Sequence, residues 1–165
     1  FLFIQKMTRL EAVKKIMNKI RENDLVVVST GYLCRDVYRV FDRPGNFYMC
    51  GSMGNAFGIG LGIALFTKRK VIVISGDGAA LMNLGSLVLA NYFKLKHIAH
   101  YIVDNNCYAS TGGQPTCSSS IDFSQFANTL HMKVDRDDSP SPRIPLTAIQ
   151  IRKRFMKELS KDSTN

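Results

Sequence analysis

The sequence predicts an α/β protein built as a three-layer, doubly wound parallel sheet, and three observations carry that expectation. Residues 71–74 (Val-Ile-Val-Ile) and 97–103 are apolar runs of strand length, residues 79–92 between them have helical character, and residues 25–29 form another β-branched run. Strands that read as continuous apolar runs are buried on both faces, which is the habit of parallel sheets. A strand, a helix and a second strand close a right-handed crossover, so the two strands run parallel and end on one edge of the sheet. Asp77 and Asn105, which follow those two ends, therefore face one crevice.

Taken in order, residues 1–4 are apolar but far too short for a signal peptide, and read as a remnant of linker or tag. Thr8-Arg9-Leu10-Glu11 is a capping box, and Leu10, Val13, Met17 and Ile20 follow at helical spacing, giving a helix over 8–22. The run 25–29 fits a central strand. Thr30-Gly31 breaks it before a second amphipathic helix that ends at Phe41. Residues 42–46 carry turn chemistry, 46–50 a short strand, and 55–66 a helix containing Gly58, Gly60 and Gly62. Those glycines lie inside a helix and not at a strand-to-helix turn, so they read as packing positions and not as a dinucleotide fingerprint. After the central crossover, residues 112–120 form a polar loop. Asp122 to Gln125 caps a short helix ending near Leu130, and 131–134 is a last strand. Residues 135–145 make a Pro- and Asp-rich connector, and Thr147 to Gln150 caps a terminal helix with Ile151, Phe155 and Leu159 on one face.

The chain has 165 residues, 45% of them hydrophobic and 21% charged, enough for a proper core in a single domain spanning 1–165. It holds no apolar run of about 18 residues, so no membrane partner is expected. Four cysteines form no Cys-x-x-Cys pair and three histidines are scattered, which leaves no zinc pattern and points to reduced thiols in the cytoplasm. Lysine and arginine exceed the acidic residues by 22 to 13, but the basic residues are spread out apart from Arg152-Lys153-Arg154. The net charge of +9 is read as a solvated basic face, with no nucleic-acid partner.

The crevice has a chemical meaning, because open α/β sheets bind ligands beyond the carboxyl ends of their strands. In Gly76-Asp77-Gly78 the glycines let the backbone turn and approach a ligand, and the amides of Gly78 and Ala79 open a helix suited to phosphate. A carboxylate and an amide oxygen are hard ligands that suit Mg2+ shared with a phosphorylated cofactor. Gly-Asp-Gly alone is an ordinary turn. Its placement between strand and helix, with Asn at the matching strand end, gives it weight.

These residues carry a resemblance. Residues 46–54 (Asn-Phe-Tyr-Met-Cys-Gly-Ser-Met-Gly), 71–87 and 104–116 resemble the diphosphate-binding domain of thiamine-diphosphate-dependent decarboxylases, of the phosphonopyruvate decarboxylase and sulfopyruvate decarboxylase β-subunit type. The similarity covers most of 8–160. It implies the thiamine-diphosphate-binding fold and a Mg2+ held by Asp77, the Asn105 side chain and the main-chain carbonyl of Cys107. Either Asn105 or Asn106 could supply that amide, and alignment back from Gly112-Gly113-Gln114-Pro115-Thr116 favours Asn105. The resemblance further implies that Gly76, Gly78, Ala79 and Tyr108 lie against the cofactor with Ser52, that Met53 bends it, and that the Gly51 carbonyl accepts from its amino group. Without the resemblance, Met53 reads equally well as core packing.

The implied activity is decarboxylation of a small anionic 2-keto acid, with the cofactor as electron acceptor. The activating glutamate of such enzymes belongs to a separate pyrimidine-binding domain that cannot fit in 165 residues. The chain is therefore expected to be half a site, completed by a pyrimidine-binding α subunit or by the N-terminal half of a longer chain, in a hetero- or homo-oligomer. It also passes directly from Leu130 to His131 where such enzymes carry a further strand and helix, so a segment is missing there, by deletion or by omission. Gly113 to Thr116 resembles the phosphonopyruvate side and Cys107 to Gly112 the sulfopyruvate side, with phosphonopyruvate the first expectation. A non-catalytic cofactor-binding subunit is the alternative of another class.

Overall fold

The computed structural model describes residues 7–136 and 139–161, and within them five parallel strands form one sheet. The strands are β1 (Leu25–Val28), β2 (Asn46–Tyr48), β3 (Val71–Gly76), β4 (Ile98–Asp104) and β5 (Thr129–Lys133), in the order β2-β1-β3-β4-β5. The helices are α1 (Arg9–Met17), α2 (Tyr32–Phe41), α3 (Ala56–Phe66), α4 (Asp77–Leu81), α5 (Leu84–Phe93) and α6 (Ala148–Leu159). From β1 the chain steps outward to β2, then returns to the other side of β1 for β3. That reversal is the topological switch point of a doubly wound sheet.

Alternation along the strands divides the core into two layers. Val26, Val28, Ile72, Ile74, Tyr101 and Val103 face α1 and α2. Leu25, Val27, Val71, Val73, Ile98 and Ile102 face α3, α4 and α5. The α6 helix closes the β2 edge, where the Phe155 and Phe47 rings lie 5.3 Å apart. The three-layer expectation holds, and β1, β3 and β4 are buried on both faces as their apolar runs require.

Several boundaries differ, each for a physical reason. The first helix stops at Met17 and not at 22, although its capping box forms as expected, with the Glu11 amide donating to Thr8 Oγ1 at 3.2 Å. The single helix expected over 79–92 starts at Asp77 and breaks after Leu81. Asn83 then restarts it as α5 by accepting from the Ser86 amide at 3.3 Å, a polar cap that an apolar periodicity hides. The short helix expected before Leu130 is only a 3-10 turn over Phe123–Gln125, and Leu130 belongs to β5, paired with Tyr101. The strand runs unbroken through His131, which pairs with Ile102. The expected linker remnant at 1–4, and residues 137–138 of the connector, lie outside the described residues.

Candidate functional site

The carboxyl ends of β1, β3 and β4 meet in a cleft lined by two kinds of loop. The turn after β1 contributes residues 29–33, and the turn after β3 contributes Gly76, Asp77 and Gly78. The loop after β4 contributes Asn105 and residues 107–111, while Met53, Val103 and Val134 complete the wall. The cleft therefore sits at the switch between β1 and β3, where the topology parts neighbouring loops. It holds about 70 Å3. That is room for a handful of waters, far below the roughly 300–1,000 Å3 that buries a whole drug-sized ligand.

Asp77, the first residue of α4, is 2% exposed. Burial pushes its carboxyl above the ordinary aspartate range, the hydroxyl of Thr116 donates to Oδ2 and opposes that, and the nearby Asp104 carboxylate adds to the rise. The strongest influences on it include no cationic side chain. Asp104 has a different lot. Burial raises its carboxyl too, but the Asn106 amide (2.9 Å), His131 Nε2 (2.7 Å) and Ser118 Oγ (2.9 Å) outweigh burial and hold it below its usual value.

Asn105 lines the cleft with Asp77, as the crossover requires. Asn106 takes a left-handed backbone (φ 56°), and its side-chain oxygen lies 2.9 Å from Ser118 Oγ. Of the two asparagines, Asn105 is thus the one beside Asp77. Asn105 Oδ1 also accepts from the Cys107 amide at 3.2 Å, which steadies the loop. Tyr108 lies over Gly78: a Cβ there would stand 2.3 Å from Tyr108 Cε1, so the ring admits only glycine.

Of the residues expected from the sequence, Met53, Gly76, Asp77, Gly78, Asn105, Cys107 and Tyr108 line the cleft. Gly51 and Ser52 are exposed beside Met53, and Ala79 is buried behind the first turn of α4, so none of these three reaches the lining. Sequence reasoning missed the loop at 29–33, although Ser29-Thr30-Gly31 follows a strand and opens a helix as Gly76-Asp77-Gly78 does. It also missed Arg9, which lines the floor while its Nε donates to Asp36 at 2.6 Å and its guanidinium lies 5.2 Å from the Tyr32 ring centre. Among the described residues no three His, Cys, Asp or Glu side chains converge as a metal centre.

Residues 29–145 match the family described as thiamine pyrophosphate enzyme, C-terminal TPP binding domain. That span contains every lining residue of the cleft except Arg9. The sulfopyruvate decarboxylase subunit beta of Methanothermobacter thermautotrophicus is 36% identical over 176 aligned residues, covering 92% of this chain and 95% of that protein. The phosphonopyruvate decarboxylase of Streptomyces viridochromogenes is 41% identical over 120 residues, which are 73% of this chain but 30% of that protein. A solved chain of Mycobacterium smegmatis, provisionally described as a thiamin diphosphate-dependent enzyme, matches with a TM-score of 0.54 at 22% identity over 67% of this chain and 23% of that one, and attests the fold. The switch-point cleft and the family match over most of its length agree: this chain belongs to the thiamine pyrophosphate enzymes, through their C-terminal TPP-binding domain.

Proposed function

We propose that the chain is the diphosphate- and Mg2+-binding part of a thiamine-diphosphate-dependent 2-keto acid decarboxylase, that a pyrimidine-binding companion completes its site, and that its substrate is phosphonopyruvate, converted to phosphonoacetaldehyde and CO2. The observation that carries this reading is the meeting of Asp77 and Asn105 at adjacent strand ends in one cleft. The residues present fit the cofactor. Asp77 is a nearly fully buried carboxylate whose strongest influences include no cation, an arrangement that a divalent metal relieves. Asp77, the Asn105 amide and the Cys107 carbonyl are hard oxygen donors. They are too few to hold Mg2+ alone, so the diphosphate would complete the coordination.

The chain's own residues bind, orient and exclude water. The Gly78 amide, with those opening α2 after Gly31, would hold the diphosphate. Met53 would support the cofactor from the rim, and Leu33, Val103 and Val134 keep the inner wall apolar. When bound, the cofactor supplies the electron sink that lets CO2 leave.

A second surface is available. The outer faces of α3 and α5 carry no charged residue, and they expose Phe66 (92%), Tyr92 (78%) and Val88 (56%), with Met82 (58%) exposed in the turn between α4 and α5. The face begins beside Met53 at the cleft, where Met82 packs against Gly54. A pyrimidine-binding α subunit seated there would cover the apolar face and the cofactor together.

Sulfopyruvate is the second reading, favoured because the chain spans 95% of a sulfopyruvate decarboxylase β subunit. The 176 aligned residues exceed the chain's 165, which supports a segment present in that relative and missing here. We assign that gap to Leu130-His131; mass spectrometry is expected to find a peptide joining the two, and a peptide carrying extra residues between them would refute a deletion. Among the described residues no helix is long and apolar enough to cross a membrane. Free cysteines at 34, 50, 107 and 117 support the cytoplasm as its compartment.

The Asp77→Ala substitution tests the catalytic reading. Mg2+-dependent cofactor binding and turnover are expected to fall together by at least about 100-fold, while assembly with the companion is kept. Unchanged turnover in that variant would support the non-catalytic alternative.

A further inference from the structure

The Thr116 hydroxyl donates to Asp77 Oδ2, while the Thr116 amide donates to the Asn106 carbonyl at 3.0 Å. One residue thus ties the Asp77 carboxylate to the loop that carries Asn105. Thr116 Oγ1 also accepts from the Ser118 amide (3.4 Å) and lies 3.1 Å from Ser118 Oγ. The isolated bridge between Cys107 and Pro115 fixes Thr116 from the other side.

The second carboxylate nearby is already saturated. Asp104 Oδ1 accepts from the Asn106 amide and from Ser118 Oγ, and Oδ2 from His131 Nε2. Asp77 also accepts from the Gly78 amide and lies within hydrogen-bond reach of the Asp104 carboxyl. Of the two Asp77 oxygens, Oδ2 is held by Thr116 and Oδ1 is not.

From this we infer, resting on the Mg2+ site proposed above, that Thr116 is a positioning residue that makes Asp77 a one-oxygen ligand and so sets the preference of the site for Mg2+ over Ca2+. The reasoning follows from the two ions. Mg2+ demands near-ideal octahedral geometry at short range, which a one-oxygen carboxylate allows. Ca2+ accepts seven or eight oxygens and readily takes both oxygens of a carboxylate. With the hydroxyl gone, the Asp77 carboxylate is free to turn both oxygens towards the metal. The smaller ion loses by that change and the larger one does not.

The test is thiamine diphosphate binding by the full chain with its companion, measured calorimetrically in Mg2+ and then in Ca2+. Thr116→Val removes the hydroxyl at constant shape, Thr116→Ala does so with less bulk should the valine variant not fold, and Thr116→Ser keeps it. The ratio of Mg2+-supported to Ca2+-supported affinity is expected to fall about 10- to 100-fold in the variants without the hydroxyl. Serine is expected to restore it. Equal losses with both ions would mean that Thr116 only holds the loop, and an unchanged ratio would mean that it does nothing to the carboxylate; either overturns the inference. A parent protein whose cofactor binding ignores divalent ions would instead defeat the Mg2+ site itself.

Discussion

His100 is wholly buried in β4, its Nε2 2.6 Å from Ser75 Oγ and its ring stacked 4.6 Å from that of Phe57, while Nδ1 has no partner among the described residues. Burial pushes its pKa down to about 3 from the ordinary 6.5. The folded-state value lies below the unfolded one, so protons favour the unfolded chain. The stability this group contributes is whole above pH 6.5 and is lost as the pH falls from 6.5 towards 3, at up to about 1.4 kcal/mol per pH unit. His100→Gln is expected to lose about 2 kcal/mol less than the parent between pH 7 and pH 5, measured by urea unfolding at both values. Equal losses would contradict the assignment. Nothing in the sequence marks this residue, because burial of one histidine in an apolar run is decided by the neighbouring elements. Asp77 and Asn105 were legible because strand ends put them on one edge whatever the loops do. That Asn105 and not Asn106 lines the cleft was only half legible, since the left-handed backbone of Asn106 is announced by no pattern.

At the scale of the element, α3 separates two uses of glycine that look alike in sequence. A Cβ on Gly60 would stand 2.2 Å from Val73 Cγ2, so Gly60 lets the helix lie close on the sheet. A Cβ on Gly58 would meet nothing within 4 Å. Gly60→Ala is therefore expected to destabilise by about 1–3 kcal/mol through overpacking, and Gly58→Ala to stabilise the isolated chain by about 0.5–1 kcal/mol through helix propensity. Thermal unfolding of the two variants checks both signs. The strands β1, β3 and β4 were legible from their apolar runs to within a residue or two at their ends. The break between α4 and α5 and the early start of β5 were not, because each depends on a local polar bond or on pairing with a neighbour, and neither has a period. Asn83 bonding the Ser86 amide is the first case, and Thr129 pairing with His100 is the second.

For the whole molecule, an α3 helix apolar on all sides belongs in an interior, yet part of it faces outward here. Phe66→Glu, at a side chain 92% exposed, is expected to leave the melting temperature of the isolated chain unchanged and to weaken assembly with the companion at least about 10-fold, read by size-exclusion chromatography. Unaltered assembly would move the companion to another face. This surface was readable as a tight-packing helix, whereas the loop at 29–33 and Arg9 entered the cleft only through the folding of separate segments onto one edge.

The central claim is that this chain supplies the diphosphate and metal half of a decarboxylase. The most direct measurement is CO2 release from phosphonopyruvate and from sulfopyruvate, with Mg2+ and thiamine diphosphate, by the chain alone and then with its α companion. Turnover of one of the two acids only when the companion is present is the expected result. Full turnover by the chain alone would contradict the half-site, and tight cofactor binding with no turnover of either acid in any combination would contradict the decarboxylase.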